Sequence, residues 1–330
     1  MNLKPWFQLF RAQTAAATLL LLLTPFLNNF PLFSFQTLFL AIFFVLIHYF
    51  SFGQNSLMDY AMMYDQRDAN KHHHPLISGV IKQSAAHNVI HWGLGILTVA
   101  AAGITLLISP ASALAIFFLT VWVAFGHAYN DGLSKESLFG FLAISLCITG
   151  SSAWGWLLSH NSLSTLGLIY LGYVFFTLLY QISWSGFVKE MQVREKSNII
   201  AKMGAHLDVD GRGQKQFVPG RARFYAWFVK GLNLAFGWIL LWLNFSLVRL
   251  VIFSLIVFLV MYLLFKTTKT RTYIRERELG LMSAMEILTI FAAVTLLLPW
   301  FEAVILMSCS AVYFFAMNKI LWGTVTHPRV

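Results

Sequence analysis

Oxygen ligands crowd one short stretch of this chain. GQNSLMDYAMMYDQRDANKHHHPLISG, residues 53–79, lies between two long apolar runs and holds Asn55, Asp59, Asp65 and Asp68 beside Arg67 and Lys71. Asn55 and Asp59 stand four apart, so on a helix continuing from the preceding run they share a face. Carboxylates at a membrane surface are ordinarily solvated charges, and that is the plain alternative. It accounts poorly for an Asn and three Asp packed against the end of an apolar helix, where ionisable groups are costly and usually functional. Hard oxygen ligands in this number suit Mg²⁺, which takes one or two carboxylates plus substrate phosphate and keeps several waters. A second polar stretch, WSGFVKEMQVREKSNIIAKMG from Trp184, supplies Glu190 and Glu195 among Lys189, Arg194, Lys196 and Lys202. By itself it reads as a solvated helix extension of alternating charge. Facing the first stretch, it would add a second acidic cluster, so that two metal ions and the neighbouring Lys and Arg could neutralise a diphosphate. A third, GHAYNDGLSKES from Gly126, offers Tyr129 and Lys135 to an anionic group, while Asn130-Asp131-Gly132 reads as an ordinary turn.

These stretches are positioned by apolar runs. Of 330 residues, 58% are hydrophobic and 11% charged, with mean hydropathy +0.69; a soluble domain carries about 25% charged residues. Runs long enough to cross a bilayer, about 18 residues or more, recur at approximately 12–28, 33–52, 85–108, 111–126, 137–158, 164–183, 224–245, 248–266, 283–299 and 301–319. The run Ala15–Leu27 follows Lys4 and Arg11 in the manner of a secretory signal. No small-residue cleavage site comes after it, so it reads as the first span. Cys147 and Cys309 both lie in apolar runs and offer neither a disulfide framework nor zinc spacing.

The net charge of +10 has a topological explanation and needs no nucleic acid. With the N-terminus cytoplasmic, the cytoplasmic segments and span ends hold every Lys and Arg except Arg249, 22 of the 23. The opposite face shows residues 28–34, 109–111 and 160–162, none of them Lys, Arg, Asp or Glu. This is the positive-inside pattern. Four spans separate the loops at 53–84 and 184–223, so both emerge on one face, at corresponding positions in two four-helix halves. No linker divides the chain, and residues 1–330 read as a single domain.

The order of these loops carries a resemblance. The chain resembles the UbiA superfamily of intramembrane prenyltransferases over roughly residues 10–300. That family carries an NDxxDxxxD-type loop after helix 2 with an RPL-SG-like stretch, a Tyr…Lys segment after helix 4 and a DxxDxxxD-type loop after helix 6. The counterparts are Asn55, Asp59, Asp65 and Asp68, then 74–79 (HPLISG), then Tyr129 and Lys135, then Glu190 and Glu195. Ser56 stands where the family places an Asp after the Asn, His74 where Arg precedes Pro-Leu, and Val193 where the second motif has Asp. A tenth run, 301–319, exceeds the family's usual nine helices.

The resemblance implies an all-α fold, a polytopic transmembrane helix bundle of nine to ten spans around a central cavity. It implies magnesium-dependent transfer of a prenyl group from an isoprenyl diphosphate to a hydrophobic acceptor. Asn55, Asp59, Asp65, Asp68, Glu190 and Glu195 would then hold Mg²⁺. Asn55, Arg67, Lys71, Lys135, Lys189 and Arg194 would hold the diphosphate, with Asp59, Tyr129 and Lys135 catalytic. Cyclisation of the prenyl diphosphate at the same site, or a transporter or scaffold that kept the fold, are the alternatives. Other features weigh less. Three consecutive residues, His72-His73-His74, cannot all reach one ion in regular structure. Residues 208–213 (DVDGRG) hint at a calcium loop but lack its terminal Glu and spacing. Cysteines placed at Gln66 and Gln214 are expected to react with an impermeant thiol reagent from the same side of the membrane; labelling from opposite sides would dissolve the shared site.

Overall fold

The structure, a computed structural model, describes residues 3–63, 66, 71, 73–133, 139–189, 198–210, 213–269 and 271–324. Ten apolar helices follow one another: α1 Ala15–Leu27, α2 Phe35–Ala61, α3 Gln83–Ile108, α4 Ser112–Ala128, α5 Gly140–Leu157, α6 Thr165–Tyr180, α7 Gly220–Leu243, α8 Leu247–Thr267, α9 Arg275–Leu297 and α10 Trp300–Trp322. Among the described residues, nine helices, corresponding to α2–α10, are long and apolar enough to cross a membrane. The fold is a multi-pass transmembrane bundle, as the hydropathy requires. The first expected span is the short one. It opens with a 3₁₀ turn, Ala12–Thr14, before α1, and Leu20 to Leu27 are buried in the protein and not against lipid.

Hydrogen-bonding groups at helix ends are satisfied locally, as hydrocarbon demands. Ser34, Ser164 and Ser246 stand just before α2, α6 and α8, and each hydroxyl accepts a backbone N–H of the first turn. Arg249, the one basic residue on the charge-poor face, serves the opposite helix ends. Its guanidinium donates to the carbonyls of Asn244, Thr295 and Leu298 and to Asn244 Oδ1, tying together the ends of α7 and α9. The exception to the charge asymmetry is thus a cap on otherwise unsatisfied carbonyls.

Helix α5 packs closest to its neighbours. A Cβ on Gly155 would lie 2.5 Å from the Leu22 carbonyl oxygen of α1, and one on Gly150 3.2 Å from the Trp122 nitrogen of α4. Small residues thus let three backbones approach, the usual device where lipid offers no hydrophobic drive between helices. Between these glycines Trp154 is fully buried, and its indole N–H donates to Thr105 Oγ1 of α3 at 2.7 Å.

The long second polar stretch is not the plain loop expected. After the helix Ile199–Lys202 it forms an antiparallel hairpin, β1 His206–Asp210 with β2 Gly213–Phe217, in the register His206 to Phe217 and Asp208 to Lys215. A third strand, β3 Arg271–Thr272, adds to β2 between α8 and α9. Asp208 sits on a strand, where its carboxylate meets His206 Nε2 at 2.8 Å. The hairpin went unforeseen because its alternation spans only five residues a strand. Its docking depends on distant partners: Gln216 donates to the Thr267 carbonyl, and Glu278, fully buried, pairs with Arg271 at 2.6 Å and Arg277 at 3.2 Å. Gly155→Ala is expected to destabilise the protein by about 1–3 kcal/mol, read as a lowered Tm in detergent, because the obstacle is backbone and cannot rotate away.

Candidate active site

The chemistry foreseen after the second span is built on the last turns of α2. Asn55 Nδ2 donates to Asp59 Oδ2 at 3.1 Å, the shared face expected from the spacing. Asp59 is buried at 5% exposure, and Arg11 Nη2 lies 3.6 Å from the same oxygen. Arg11 precedes the 3₁₀ turn that opens α1 and holds left-handed backbone, φ 47° and ψ 46°. Such a conformation in a non-glycine residue costs on the order of 1 kcal/mol and tends to persist at functional sites. It is held from below by His48 of α2, whose ring bonds Thr14 Oγ1 at 3.1 Å and Thr18 Oγ1 at 2.9 Å. A buried carboxylate needs a partner, and here the partner arrives from the N-terminal segment.

Helix α4 ends at the same level in a π-helical turn, Tyr129–Leu133. Asn130-Asp131-Gly132 is therefore no simple turn, and Asn130 is buried. Gln54 of α2 gathers this end: its amide nitrogen contacts His127 Nδ1 at 2.9 Å and Asp131 Oδ1 at 3.3 Å, and its oxygen accepts from Asn130 Nδ2 at 3.2 Å. Helix α6 closes in a second π turn, Gln181–Ser185. π-Helical turns are rare and concentrate where function demands a displaced backbone. Ser185 Oγ donates to Glu286 Oε1 of α9 at 2.5 Å.

These ends enclose a cavity of about 360 Å³. Arg11, Gln54, Asn55, His127, Tyr129 and Glu286 line its polar portion, and Leu22, Phe44, Leu97, Leu119, Trp122 and Ile148 its apolar portion. The walls come from α1 through α5, the π turn after α6 with Gly186 beyond it, and α9. Of the residues singled out in the sequence, Asn55 and Tyr129 are on the cavity wall, and Asp59 is bonded to Asn55 one turn beyond it. Lys71 is described but is not among the lining residues. Lys189 closes the short helix Gly186–Lys189, whose first residue lines the cavity. Asp65, Arg67, Asp68, Lys135, Glu190, Arg194 and Glu195 lie outside the described residues. Sequence reading missed Arg11, Gln54, His127 and Glu286. For Glu286 a signal existed: an acid inside the run 283–299 is expensive unless used.

No protein-family model matches the chain, and no curated protein is similar to it in sequence. Solved structures do match. A UbiA homolog from Archaeoglobus fulgidus, bound to GPP and Mg²⁺, superposes with TM-score 0.61 at 16% identity, covering 89% of this chain and 99% of that one. The chain has the UbiA fold. A digeranylgeranylglyceryl phosphate synthase gives TM-score 0.58 at 15% identity, over 89% of this chain and 99% of that one. The apo UbiA homolog from Aeropyrum pernix K1 gives 0.60 at 14%, over 86% and 96%. Within this UbiA fold, Gln54 is the polar joint between α2 and the π turn after α4. Gln54→Met, which keeps length and loses the carboxamide, is expected to destabilise the protein by about 1–3 kcal/mol, because buried Asn130 keeps only its bond to the Ser51 carbonyl and Asp131 and His127 lose a partner, measured by thermal unfolding in detergent.

Proposed function

We propose that the protein transfers a prenyl group from an isoprenyl diphosphate to an apolar acceptor, aromatic or lipid-like, within the membrane. The observation that carries this reading is the cavity itself. One portion presents Arg11, Asn55 and Tyr129, and the other is walled by Leu, Phe, Ile and Trp, the polarity of a ligand with an anionic head and a hydrocarbon tail. The A. fulgidus homolog structures bound to GPP and to DMAPP, each with Mg²⁺, support it.

The residues present fit Mg²⁺. Asn55 and Asp59 supply hard oxygens on adjacent turns beside the cavity, and this ion asks for only one or two carboxylates when substrate phosphate and water complete its shell. Asn55 and Asp59, with Asp65 and Asp68, would hold one ion, and Glu190 and Glu195 a second. Bound Mg²⁺ would neutralise the charge that develops on the departing diphosphate. Lys135, Arg67, Lys71, Lys189 and Arg194 add positive charge around the diphosphate, and Tyr129 bounds the reacting end of the chain. Fixed donors aimed at developing charge stabilise ionisation without reorganising. The helix walls exclude water that would otherwise quench the allylic cation. By the positive-inside pattern the N-terminus and the polar loops would face the cytoplasm, with residues 1–330 acting as one catalytic domain.

The decisive assay follows labelled geranyl diphosphate with the protein in lipid nanodiscs. Magnesium-dependent diphosphate release is expected, and products with and without acceptor separate transfer from cyclisation. Asp59→Asn is expected to lower release by about 100-fold or more while leaving expression and insertion unchanged. Near-normal, magnesium-dependent release from that variant would remove Asp59 from the site.

A further inference from the structure

A carboxylate in the wall of a membrane-level cavity is expensive, and α9 places one there. Glu286 is the one Asp or Glu among the described residues that line the cavity. It is held on both sides. Ser185, in the π turn that ends α6, donates to its Oε1 at 2.5 Å. Behind it stands Lys230 of α7, 2% exposed, whose charge interacts with that of Glu286. The lysine is itself fixed: Nζ donates to Asn233 Oδ1 and Thr289 Oγ1, both at 3.3 Å, and lies 4.3 Å from the centre of the Tyr180 ring. Asn233 in turn donates to the Tyr173 carbonyl and to Thr177 Oγ1. Lys230, Asn233 and Thr289 thus join α6, α7 and α9 in one polar network, and Thr289 stands three residues along α9 from the carboxylate on the cavity wall.

Packing does not explain this arrangement, since burying charged groups costs free energy that apolar residues of equal volume would not. Nor does diphosphate capture explain it. A carboxylate repels that anion unless a metal intervenes, and the residues proposed above to hold the ions do not include Glu286. What remains for a fixed, charge-balanced carboxylate facing the cavity is a proton.

We propose that Glu286 is the base that takes the proton lost by the acceptor, with Ser185 and Lys230 as its positioning residues. The inference rests on the prenyl-transfer reading. In the step, the bond between C1 of the prenyl group and the diphosphate oxygen breaks, and diphosphate keeps the electron pair. The nucleophilic atom of a hydroxyl-bearing acceptor bonds to C1. The proton that this atom or its hydroxyl sheds passes to a Glu286 carboxylate oxygen. The pair that bound the proton stays with the product, so no oxidant or reductant is needed. The Ser185 hydroxyl, bonded to Oε1, orients the carboxylate in the cavity wall, and the charge of Lys230 interacts with it.

The test uses the full chain in lipid nanodiscs with Mg²⁺, geranyl diphosphate as donor and 1,4-naphthohydroquinone as probe acceptor. Glu286→Gln is expected to bind geranyl diphosphate within about 2-fold of wild type and to go on releasing diphosphate, with water admitted in place of a reacting acceptor capturing the geranyl group as geraniol and giving its proton to solvent. Its prenylated naphthohydroquinone should fall by about 100-fold or more, the scale of general-base catalysis. Glu286→Asp should recover part of that loss. A structural residue would not separate release from transfer in this way. Parallel loss of donor binding and transfer in Glu286→Gln, or transfer at the wild-type rate, overturns the proposal. Infrared difference spectra on adding naphthohydroquinone alone test the encounter without turnover. Wild type should show a shifted carboxylate band that Glu286→Gln lacks, and no shift overturns the assignment whatever the donor does. Wild type that neither binds geranyl diphosphate nor releases diphosphate removes the prenyl-transfer reading and this proposal with it, a result separable from the others because it appears before any acceptor is added.

Discussion

Hydrocarbon supplies no water to satisfy a polar group, and the polar atoms of this bundle are arranged around that constraint. Its consequences run from the helix ends inward. Serine hydroxyls take up N–H groups where α2, α6 and α8 begin, and Arg249 covers carbonyls where α7 and α9 finish. Inside the bundle, polar side chains bond one another or backbone carbonyls, as Asn233 and Lys230 do. His48, Asn55, His127 and Glu286 have such partners and also line the cavity.

Two helices stop being regular beside the cavity. The π turns at Tyr129–Leu133 and Gln181–Ser185 end α4 and α6, and each puts residues on its wall, Tyr129 and Asn130 from one, Gln181 and Ile182 from the other. Opposite them the short, buried α1 brings Arg11 to Asp59. The left-handed backbone at Arg11 is a local cost offset by the ion pair and by the threonines that clasp His48 below it.

Electrostatically the site divides its work. Positive and hard-oxygen groups, Arg11, Asn55 and Asp59, collect at the end of α2. Glu286 comes from α9, carried on a network that includes neither Asn55 nor Asp59. The proposed transfer would call for such a separation, since a leaving group and a nucleophile need opposite kinds of help. The close contacts of Gly150 and Gly155 hold the apolar wall between them at fixed width.

Hydropathy alone determined the class of this protein, because a run of about 18 apolar residues has few stable fates other than crossing a bilayer. The four-residue spacing of Asn55 and Asp59 placed them on one helical face, and they bond there. The Tyr129 segment and the loop order were likewise legible, since both are properties of the chain in one dimension. Tertiary structure decided the rest. Asn130-Asp131-Gly132 has turn composition, yet Gln54 draws Asn130 into a buried π turn, a choice made by a partner 76 residues away. The hairpin His206–Phe217 needed β3, from beyond α8, to complete its sheet. Arg11 and Glu286 looked like a charge at a span end and an acid in a long apolar run. Only the packing of α1 and α9 around α2 and α6 brought them to one cavity, because burial energies depend on neighbours in space and a sequence shows only neighbours along the chain.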